Sequence, residues 1–562
     1  MFIHEGKFAT LSHWFHFSEK DKNMQASTER LDHLGLVAGV IKDLGLVKLI
    51  DERIGTDCRE NISTGESVAG MILNGLGFSS KPLSLTPRFF KNKSVSSLFR
   101  EEVQAEDFNA NKLSRSLDKI YDYGVEALFS ELSAKACSKE NVTTEYRSLD
   151  TTSISLTGEY DVDTDENTIE IKHGHSKDHR PDLKQLVHEL VVSQDGGVPL
   201  MMKSWGGNAS DNTIFRERTK FLVDALKCSD WRGCLVADSK LYHAKNAEHL
   251  KLLTFVTRTP GSIQEEVKTI QEALAKASWI QLDSSNKYYT RTLTHYGIEQ
   301  RWIVVHSQSA ESRAIKRINK LIVCEEEKIA KFQKRMKNSD FECEVDAEAA
   351  VQQWSEAIIY HNIYDIRIEK KSHFPGKGRR KKDAEPDRYT IELEFSFNLD
   401  EAKKAEAISQ GSCYVVGSNV DESLSDVEVV QTYKKQNSSI ENMGFRFLKD
   451  PIFFVASLFI KKPKRIQALL FIMTLSLLVY SIAQRKLRKA LQLQNETVPN
   501  QIKQPTQKPT LRWVFQLLEG IDIIRITIEG KVQKIISGLN SLSRKILAFF
   551  GEAVCSIYGL NT

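Results

Sequence analysis

The sequence predicts an α/β protein in which a mixed sheet with flanking helices is interrupted by an insertion and preceded by a helical domain. Apolar residues recur at helical spacing from about residue 31 to 137, and strand-like and helix-like runs follow from about residue 143. A charged stretch then extends from about residue 261 to 399. Since chains beyond roughly 250–300 residues divide into several domains, a chain of 562 residues is expected to have more than one.

The predicted boundaries follow these changes of pattern. They define an N-terminal extension (residues 1–30), a helical N-terminal domain (31–140), the first part of the core (141–262), an insertion domain (263–404), the second part of the core (405–490), and a linker with a C-terminal segment (491–562). Glycine and proline punctuate the helical domain, which predicts short helices and tight turns. No recognition-helix signature distinguishes DNA binding from dimerisation there, so both roles stay open.

Local patterns predict the elements of the core and the insertion. Residues 148–156 read as a strand, and residues 186–193 and 200–204 read as a hairpin that turns at Gly196 and Gly197. Helical spacing at 214–226 and 247–253 alternates with short apolar runs at 235–237 and 255–257, which is typical of a mixed sheet with helices. In the insertion, residues 311–336 predict a helix and residues 388–397 a strand.

Composition narrows the class of protein. Hydrophobic content of 41% and charged content of 27% fit an ordinary globular chain. The net charge of +4 says little about nucleic acid, because local clusters of Lys and Arg set the attraction to phosphate. The cysteines form no CxxC pair, so a zinc module is not expected and a reducing, cytosolic setting is the default. The first 25 residues lack the apolar stretch of a secretory signal.

Residues 466–483 form the longest apolar run and allow two interpretations. The run is near the lower limit for crossing a bilayer, and basic residues on both sides set no orientation for it. An all-round apolar helix is also what the middle of a large domain needs. Gln467, Thr474, Ser476 and Ser481 interrupt the run. We therefore favour a buried core helix, and no membrane partner is predicted.

Three acidic residues stand out as candidates for chemistry. Asp150 and Asp238 each end a strand-like run, and Glu441 lies in a stretch with basic residues on both sides. Taken alone, each would be interpreted as a surface carboxylate or a cap, because Asp favours such positions through local hydrogen bonds. Together, three carboxylates from separate elements could hold two divalent cations, since Mg²⁺ prefers oxygen ligands.

The order of these features resembles the catalytic core of DDE transposases of bacterial insertion sequences. The match is closest to the IS-four superfamily, in its branch with a helical amino-terminal domain, and it covers nearly all of the chain from about Met24. It is carried by segments 148–153 (SLDTTS), 174–185 (GHSKDHRPDLKQ), 236–242 (VADSKLY) and 433–449 (YKKQNSSIENMGFRFLK). The resemblance implies a ribonuclease-H-like fold for the core.

The resemblance also implies an activity and its partners. It implies metal-dependent DNA cleavage at terminal inverted repeats and strand transfer into target DNA, with two Mg²⁺ or Mn²⁺ ions held by Asp150, Asp238 and Glu441. Asp150 would bridge the two ions. The implied partners are double-stranded DNA of the transposon ends and the target, and further copies of the chain in a dimer or higher multimer, in the cytoplasm at the nucleoid. The alternative is a transposase-derived DNA-binding protein without catalysis.

The segment around Glu441 departs from the superfamily pattern. That pattern is a Tyr, an Arg after two residues, a Glu after three more and a Lys after six more. Here Gln436 stands in place of the Arg, Glu441 comes one residue late, and Lys449 follows after seven residues. At about 100° per residue, positions 433, 441 and 449 still fall on one side of an α-helix. The resemblance implies a set of DNA contacts made by Lys177, Arg180, Tyr433, Arg446 and Lys449.

Four other sequence features give weaker indications of function. The cluster of His173, His175 and His179 predicts a loop that touches DNA more than a metal site, since no further ligands accompany it. Trp205 is expected to pack on the sheet rather than stack on a base. The basic run 377–382 (KGRRKK) is either a solvated loop or a phosphate contact. The absence of GxxxxGK[ST] argues against an ATP-driven regulator.

Overall fold

The computed structural model describes residues 25–160, 168–226, 233–337, 341, 343–374, 385–450, 460–528 and 531–560. The chain forms two compact units. Unit 1 comprises Met1–Ala237 and Lys434–Thr562, and unit 2 comprises Asp238–Tyr433. Each unit contains both helices and strands, so the predicted α/β class is confirmed.

Unit 1 begins with a strand, a helical region and a sheet. These elements are β1 (Gln25–Arg30), α1 (Leu34–Leu44), α2 (Leu46–Ile54), α3 (Thr64–Leu76), α4 (Thr86–Phe90), α5 (Val95–Leu98), α6 (Ala110–Tyr123), α7 (Val125–Lys139), β2 (Tyr146–Leu156), β3 (Lys184–Ser193), β4 (Pro199–Trp205), α8 (Asp211–Leu226) and β5 (Cys234–Ala237). The helices are short, as the glycines and prolines predict. A capping box of Ser63 and Glu66 starts α3, and Gly45, with φ 70, ends α1 in the left-handed conformation.

The sheet of unit 1 is mixed. β2 pairs antiparallel with β3, and β3 pairs antiparallel with β4, whereas β5 pairs parallel with β2. The predicted hairpin of β3 and β4 is confirmed. Its turn contains Gly196 and Gly197 with φ of 86 and 65, a backbone region that glycine enters without steric cost.

Unit 2 contains an antiparallel sheet, a two-stranded ribbon and helices. Its elements are α9 (Ala247–Leu250), β6 (Thr254–Arg258), α10 (Gln264–Lys276), β7 (Ile280–Asp283), β8 (Asn286–His295), β9 (Ile298–Ser307), α11 (Gln308–Lys337), α12 (Glu344–Ser355), β10 (His361–His373), β11 (Arg388–Leu399), α13 (Glu401–Gly411), β12 (Cys413–Ser418) and α14 (Asp426–Gln436), whose end lies in unit 1. The strands run in the order β6-β12-β9-β8-β7, and β10 pairs with β11 in the ribbon.

The predicted helix at 311–336 and strand at 388–397 are confirmed as α11 and β11. The helix predicted over 247–253 is shorter, because the chain leaves α9 after Leu250 and enters β6 at Thr254. The basic run at 377–382 lies outside the described residues.

The chain then returns to unit 1. A π-helical segment, Asn437–Phe445, leads into α15 (Arg446–Lys449), α16 (Pro463–Leu493), β13 (Val498–Pro499), β14 (Pro505–Thr506), α17 (Leu511–Leu517), β15 (Asp522–Ile528), β16 (Lys531–Ser537), α18 (Ser541–Ala548) and α19 (Glu552–Ile557). β15 pairs antiparallel with β1, so residues 25–30 of the predicted extension form a strand. Tyr558 donates its hydroxyl hydrogen to the carbonyl of Asp32 and accepts the amide hydrogen of Leu36 at 3.0 Å.

α16 is the central helix of unit 1. By length and composition it could cross a membrane, but 89% of its most apolar window is buried within the chain, where it packs against α3, α6, α7 and β4. Basic residues near both ends make ion pairs with the protein itself: Arg465 with Asp118 at 2.7 Å, Arg485 with Asp195 at 2.6 Å, and Lys486 with Asp43 at 3.0 Å. This burial agrees with the core-helix interpretation.

A buried histidine joins the sheet to α16. His188 of β3 is 0% exposed, and its ring nitrogens lie 3.3 Å from Ser204 Oγ and 3.1 Å from Thr474 Oγ1. Burial lowers the pKa of His188 from 6.5 to about 3, because an imidazolium there would lose its hydration. The imidazole ring of His188 is therefore expected to be neutral in the folded protein near neutral pH.

We expect unit 1 to lose stability in mild acid through this histidine. The pKa is lower in the folded state, so the stabilisation is present above pH 6.5 and is lost as the pH falls towards 3. At pH 5 the loss is about 2 kcal/mol. Urea unfolding at pH 7, 6 and 5 measures it. In His188→Asn, unfolding should take up about one proton fewer, so the fall in unfolding free energy between pH 7 and 5 should be smaller than in the unaltered chain. An equal fall in both proteins would show that His188 is not its cause.

Candidate functional site

The structure corrects the position of Asp150. We expected Asp150 to end a strand-like run, but it lies inside β2, which agrees with the strand predicted over residues 148–156, and it pairs with Leu190 of β3. The strand continues because β-branched and apolar residues such as Thr151, Thr152 and Ile154 follow, and one carboxylate does not end it. Asp150 is half-buried, and its Oδ1 accepts a hydrogen bond of 2.7 Å from the amide of Thr151.

Asp238 follows a strand end, as predicted. It comes directly after β5 and is the first residue of unit 2. Its Oδ1 accepts a hydrogen bond from the amide of Lys240 at 3.0 Å, and its carbonyl oxygen accepts one from Thr257 Oγ1 at 2.9 Å. Within unit 1, the parallel register pairs Leu149 with Ala237. Asp150 directly follows Leu149 in the chain, and Asp238 directly follows Ala237.

Glu441 lies in the π-helical segment Asn437–Phe445. The α-helical spacing used to place positions 433, 441 and 449 on one side is therefore wrong over this stretch. A π-helix bonds each amide five residues back instead of four, and such turns are frequently found at functional sites.

The π-helical segment packs on the sheet close to Asp150. Ser439 Oγ lies 3.4 Å from Ser148 Oγ, and Ser148 shares a face of β2 with Asp150 because alternate residues of a strand point the same way. A Cβ on Gly444 would lie 3.5 Å from Leu190 Cδ1, and Leu190 is the partner of Asp150. Unit 1 thus brings the segment that carries Glu441 to the strand that carries Asp150, with the Glu441 side chain exposed.

Among the residues that the structure describes, no three His, Cys, Asp or Glu side chains are arranged to hold a metal ion. The same holds for His173, His175 and His179, all of which are described. Carboxylate oxygens are nevertheless the donor type that Mg²⁺ and Mn²⁺ prefer, so the chemistry of the predicted ligands fits those ions.

Three of the basic residues predicted to contact DNA lie in, or contact, the loop that follows residue 174: Lys177, Arg180 and Lys449. Lys449 Nζ pairs with Asp178 Oδ1 at 2.5 Å, and Arg180 pairs with Asp182 at 2.8 Å on the surface. Lys177 Nζ donates hydrogen bonds of 2.7 Å to the carbonyl and the hydroxyl of Thr151. Lys177 is therefore anchored on the residue after Asp150.

The other two predicted DNA contacts are placed differently. Arg446 is exposed at the start of α15 in unit 1. Tyr433 is the last residue of unit 2, and the centre of its ring lies 6.5 Å from that of Tyr414.

Two acidic residues near β2 were not predicted. Asp211, at the start of α8, accepts a 2.6 Å hydrogen bond from Thr151 Oγ1 and lies 3.3 Å from Lys177 Nζ. Its sequence position at a helix start indicates only a helix cap. Glu189 is fully buried in β3, and a charged residue inside an apolar strand run is a usable sequence signal, because a buried charge requires a partner.

The partners of Glu189 are Arg218 and Trp205. Arg218 of α8 donates from Nε to Glu189 Oε1, and the indole N–H of Trp205 donates to Oε2 at 2.8 Å. Lys203 Nζ lies 4.0 Å from the centre of the Trp205 ring. Trp205 is thus part of the sheet's packing, as predicted, rather than a free stacking surface.

The N-terminal part of the chain matches a known protein family. Residues 26–134 match a family described as a domain of unknown function, DUF4277, which covers β1 to most of α7. No curated protein sequence matches the chain. Among solved structures, the chain is similar to the cryo-EM structure of a piggyBac transposase synaptic complex with hairpin DNA, with a TM-score of 0.36 and 10% identity over 88% of this chain and 82% of that chain.

Proposed function

We propose that the chain is a DDE transposase with a ribonuclease-H-like core, which cleaves DNA at terminal inverted repeats and joins the ends to target DNA. The observation that carries the proposal is the packing of the Glu441 segment onto β2 and β3 beside Asp150. The strand order β4-β3-β2-β5, in which only β5 runs parallel to its neighbour, supports the proposed core. Acting on chromosomal DNA would place the protein at the nucleoid.

The proposed ligands are Asp150, Asp238 and Glu441. When bound, two Mg²⁺ or Mn²⁺ ions would activate the attacking oxygen and stabilise the leaving oxygen of an in-line displacement. The chain contributes carboxylate oxygens from a strand, a strand end and a π-helical segment. We propose that DNA and the ions complete the site, as Mg²⁺ commonly takes some of its ligands from substrate phosphates.

The basic residues have a positioning role in this proposal. Lys177, held on Thr151, and Lys449, held on Asp178, would fix DNA phosphates beside the acids. Contacts to phosphate set the register of a protein on a duplex and carry no sequence information directly. Arg180 and Arg446 are exposed and would add attraction to the backbone.

A cleavage assay tests the proposal. The full chain is mixed with duplexes from both flanks of its coding region, with Mg²⁺ or Mn²⁺, and products are mapped at nucleotide resolution. We expect cuts at the boundaries of short inverted repeats, products joined to a second duplex, and loss of both on chelation. Light scattering of the DNA complex should show two or more copies of the chain. Absence of cleavage with either metal would contradict the proposed activity.

The second candidate is a transposase-derived protein that binds DNA without cutting it. The departures of the Glu441 segment from the superfamily pattern, with Gln436 in place of the Arg, favour this alternative. It predicts binding to the same flanking duplexes, measured by gel shift, with no cuts under any metal condition. Binding without cleavage would therefore select this candidate, whereas cleavage would reject it.

A further inference from the structure

A cavity of about 550 Å³ within unit 2 has three arginines in its wall. Arg258 ends β6, and Arg313 and Arg317 lie on α11. Four positions separate the last two, so they share one face of the helix. The volume falls in the range of roughly 300–1,000 Å³ that small-molecule sites occupy.

The charge of these arginines is not neutralised by neighbours. Within the described part of unit 2, none of the three guanidinium groups makes an ion pair with a carboxylate. The carboxyl group of Glu266 also lines the cavity, but its side chain is only 2% exposed and burial raises its pKa to about 7. Near neutral pH Glu266 therefore carries less negative charge than an exposed glutamate would.

Further polar groups face the same space. Glu266 is one of the lining residues, and its Oε2 is buried. Tyr414 lies with its ring centre 5.5 Å from the guanidinium carbon of Arg258, and Gln410 adds an amide at the end of α13.

The shape of the cavity depends on a close approach of two helices. A Cβ on Gly411 would lie 2.9 Å from the Cβ of Ala314. The missing side chain lets the end of α13 lie against α11, which brings Gln410 to the wall that carries Arg313 and Arg317. Arg258, Arg313 and Arg317 are exposed residues, and the close packing of α13 on α11 fixes the wall on which Arg313 and Arg317 lie.

We propose that this cavity is a phosphate-binding site, separate from the acids of the proposed catalytic function. The planar fork of a guanidinium group matches the oxygens of a phosphate, and such charge-assisted hydrogen bonds are roughly twice as strong as neutral ones. Three arginines around one space suit a doubly or more highly charged phosphoryl group. The group could come from a nucleic-acid backbone or from a small phosphate ester, which share this chemistry.

Titration calorimetry of the full chain with inorganic pyrophosphate tests the proposal. We expect saturable binding that weakens at least about tenfold in Arg313→Met/Arg317→Met, since each lost charge-assisted bond is worth about a factor of ten or more. The matched control is Lys316→Met/Lys320→Met, which removes the same charge from exposed positions of the same helix outside the cavity. Arg258→Met, on a different element, gives a second test if the double variant does not fold.

Different results of this titration either overturn the proposal or identify the source of the phosphate. No binding of pyrophosphate to the unaltered chain, or an equal loss in the lysine pair, overturns the proposal. Displacement of pyrophosphate by a DNA duplex assigns the site to a backbone phosphate, and binding that DNA does not displace assigns it to a small phosphate ester. Because the assay involves neither Asp150 nor Glu441, failure of the proposed cleavage activity would leave its result intact.

Discussion

Asp150→Asn is expected to reduce metal-dependent cleavage of end DNA by at least about a thousandfold. Asparagine keeps the size of the side chain and the hydrogen bond that Oδ1 accepts from the Thr151 amide, but it removes the negative charge that a divalent ion needs. A bound ion contributes several kcal/mol to charge stabilisation in such reactions, and about 1.4 kcal/mol corresponds to a factor of ten in rate. Single-turnover cleavage of labelled duplex measures the loss.

The matched control is Asp122→Asn, which removes an exposed carboxylate at the end of α6. It should cleave like the unaltered chain. DNA binding by Asp150→Asn, followed by gel shift, is expected to persist, since the cations at Lys177, Arg180 and Lys449 stay in place. Cleavage at the ordinary rate by Asp150→Asn would remove Asp150 from the proposed ligand set.

Arg218→Met is expected to lower the free energy of unfolding of unit 1 by about 3–5 kcal/mol. Arg218 is 6% exposed at its side chain and its partner Glu189 is 0% exposed. Methionine fills much of the same space but leaves the Glu189 carboxylate buried without its cation. Trp205 still donates one hydrogen bond, which does not replace the lost charge. Urea unfolding followed by circular dichroism gives the difference.

A double variant separates charge from packing. In Glu189→Gln/Arg218→Met the buried charge is gone, and the amide oxygen can still accept from Trp205. Neutral replacements of buried ion pairs often cost little, so most of the lost stability should return. A double variant that is as unstable as Arg218→Met would show that side-chain packing, rather than the unpaired carboxylate, determines the effect.

Elements encoded by neighbouring residues were predictable. The hairpin of β3 and β4 follows from apolar runs around two glycines, and α11 and α16 follow from spacing within their own sequences. The burial of α16 was favoured over a membrane helix because its apolar surface continues all round. The acidic partners of its flanking cations, such as Asp118 and Asp195, lie far away in the chain and gave no local signal.

Features decided by packing between distant segments were not predictable. The sequence predicts a strand over residues 148–156, but it does not show that Asp150 pairs with Leu190 of β3. The π-helix around Glu441 depends on how that segment fits the sheet at Ser148 and Leu190. The pairing of Lys449 with Asp178 joins positions 271 residues apart. Residue types were therefore enough to indicate candidate ligands, whereas the contacts around those residues could be known only from the folded structure.

The pairing of β1 with β15 has a consequence for how the protein is made. Strand β1 is synthesised first but finds its partner only after residue 522 has been translated, and Tyr558 then fastens the start of α1. At about 5–20 residues per second, this interval lasts roughly half a minute to two minutes. During this interval β1 is exposed without its partner strand. Protection of the nascent chain by a chaperone would therefore matter more here than for a domain whose strands pair with segments close by in the sequence.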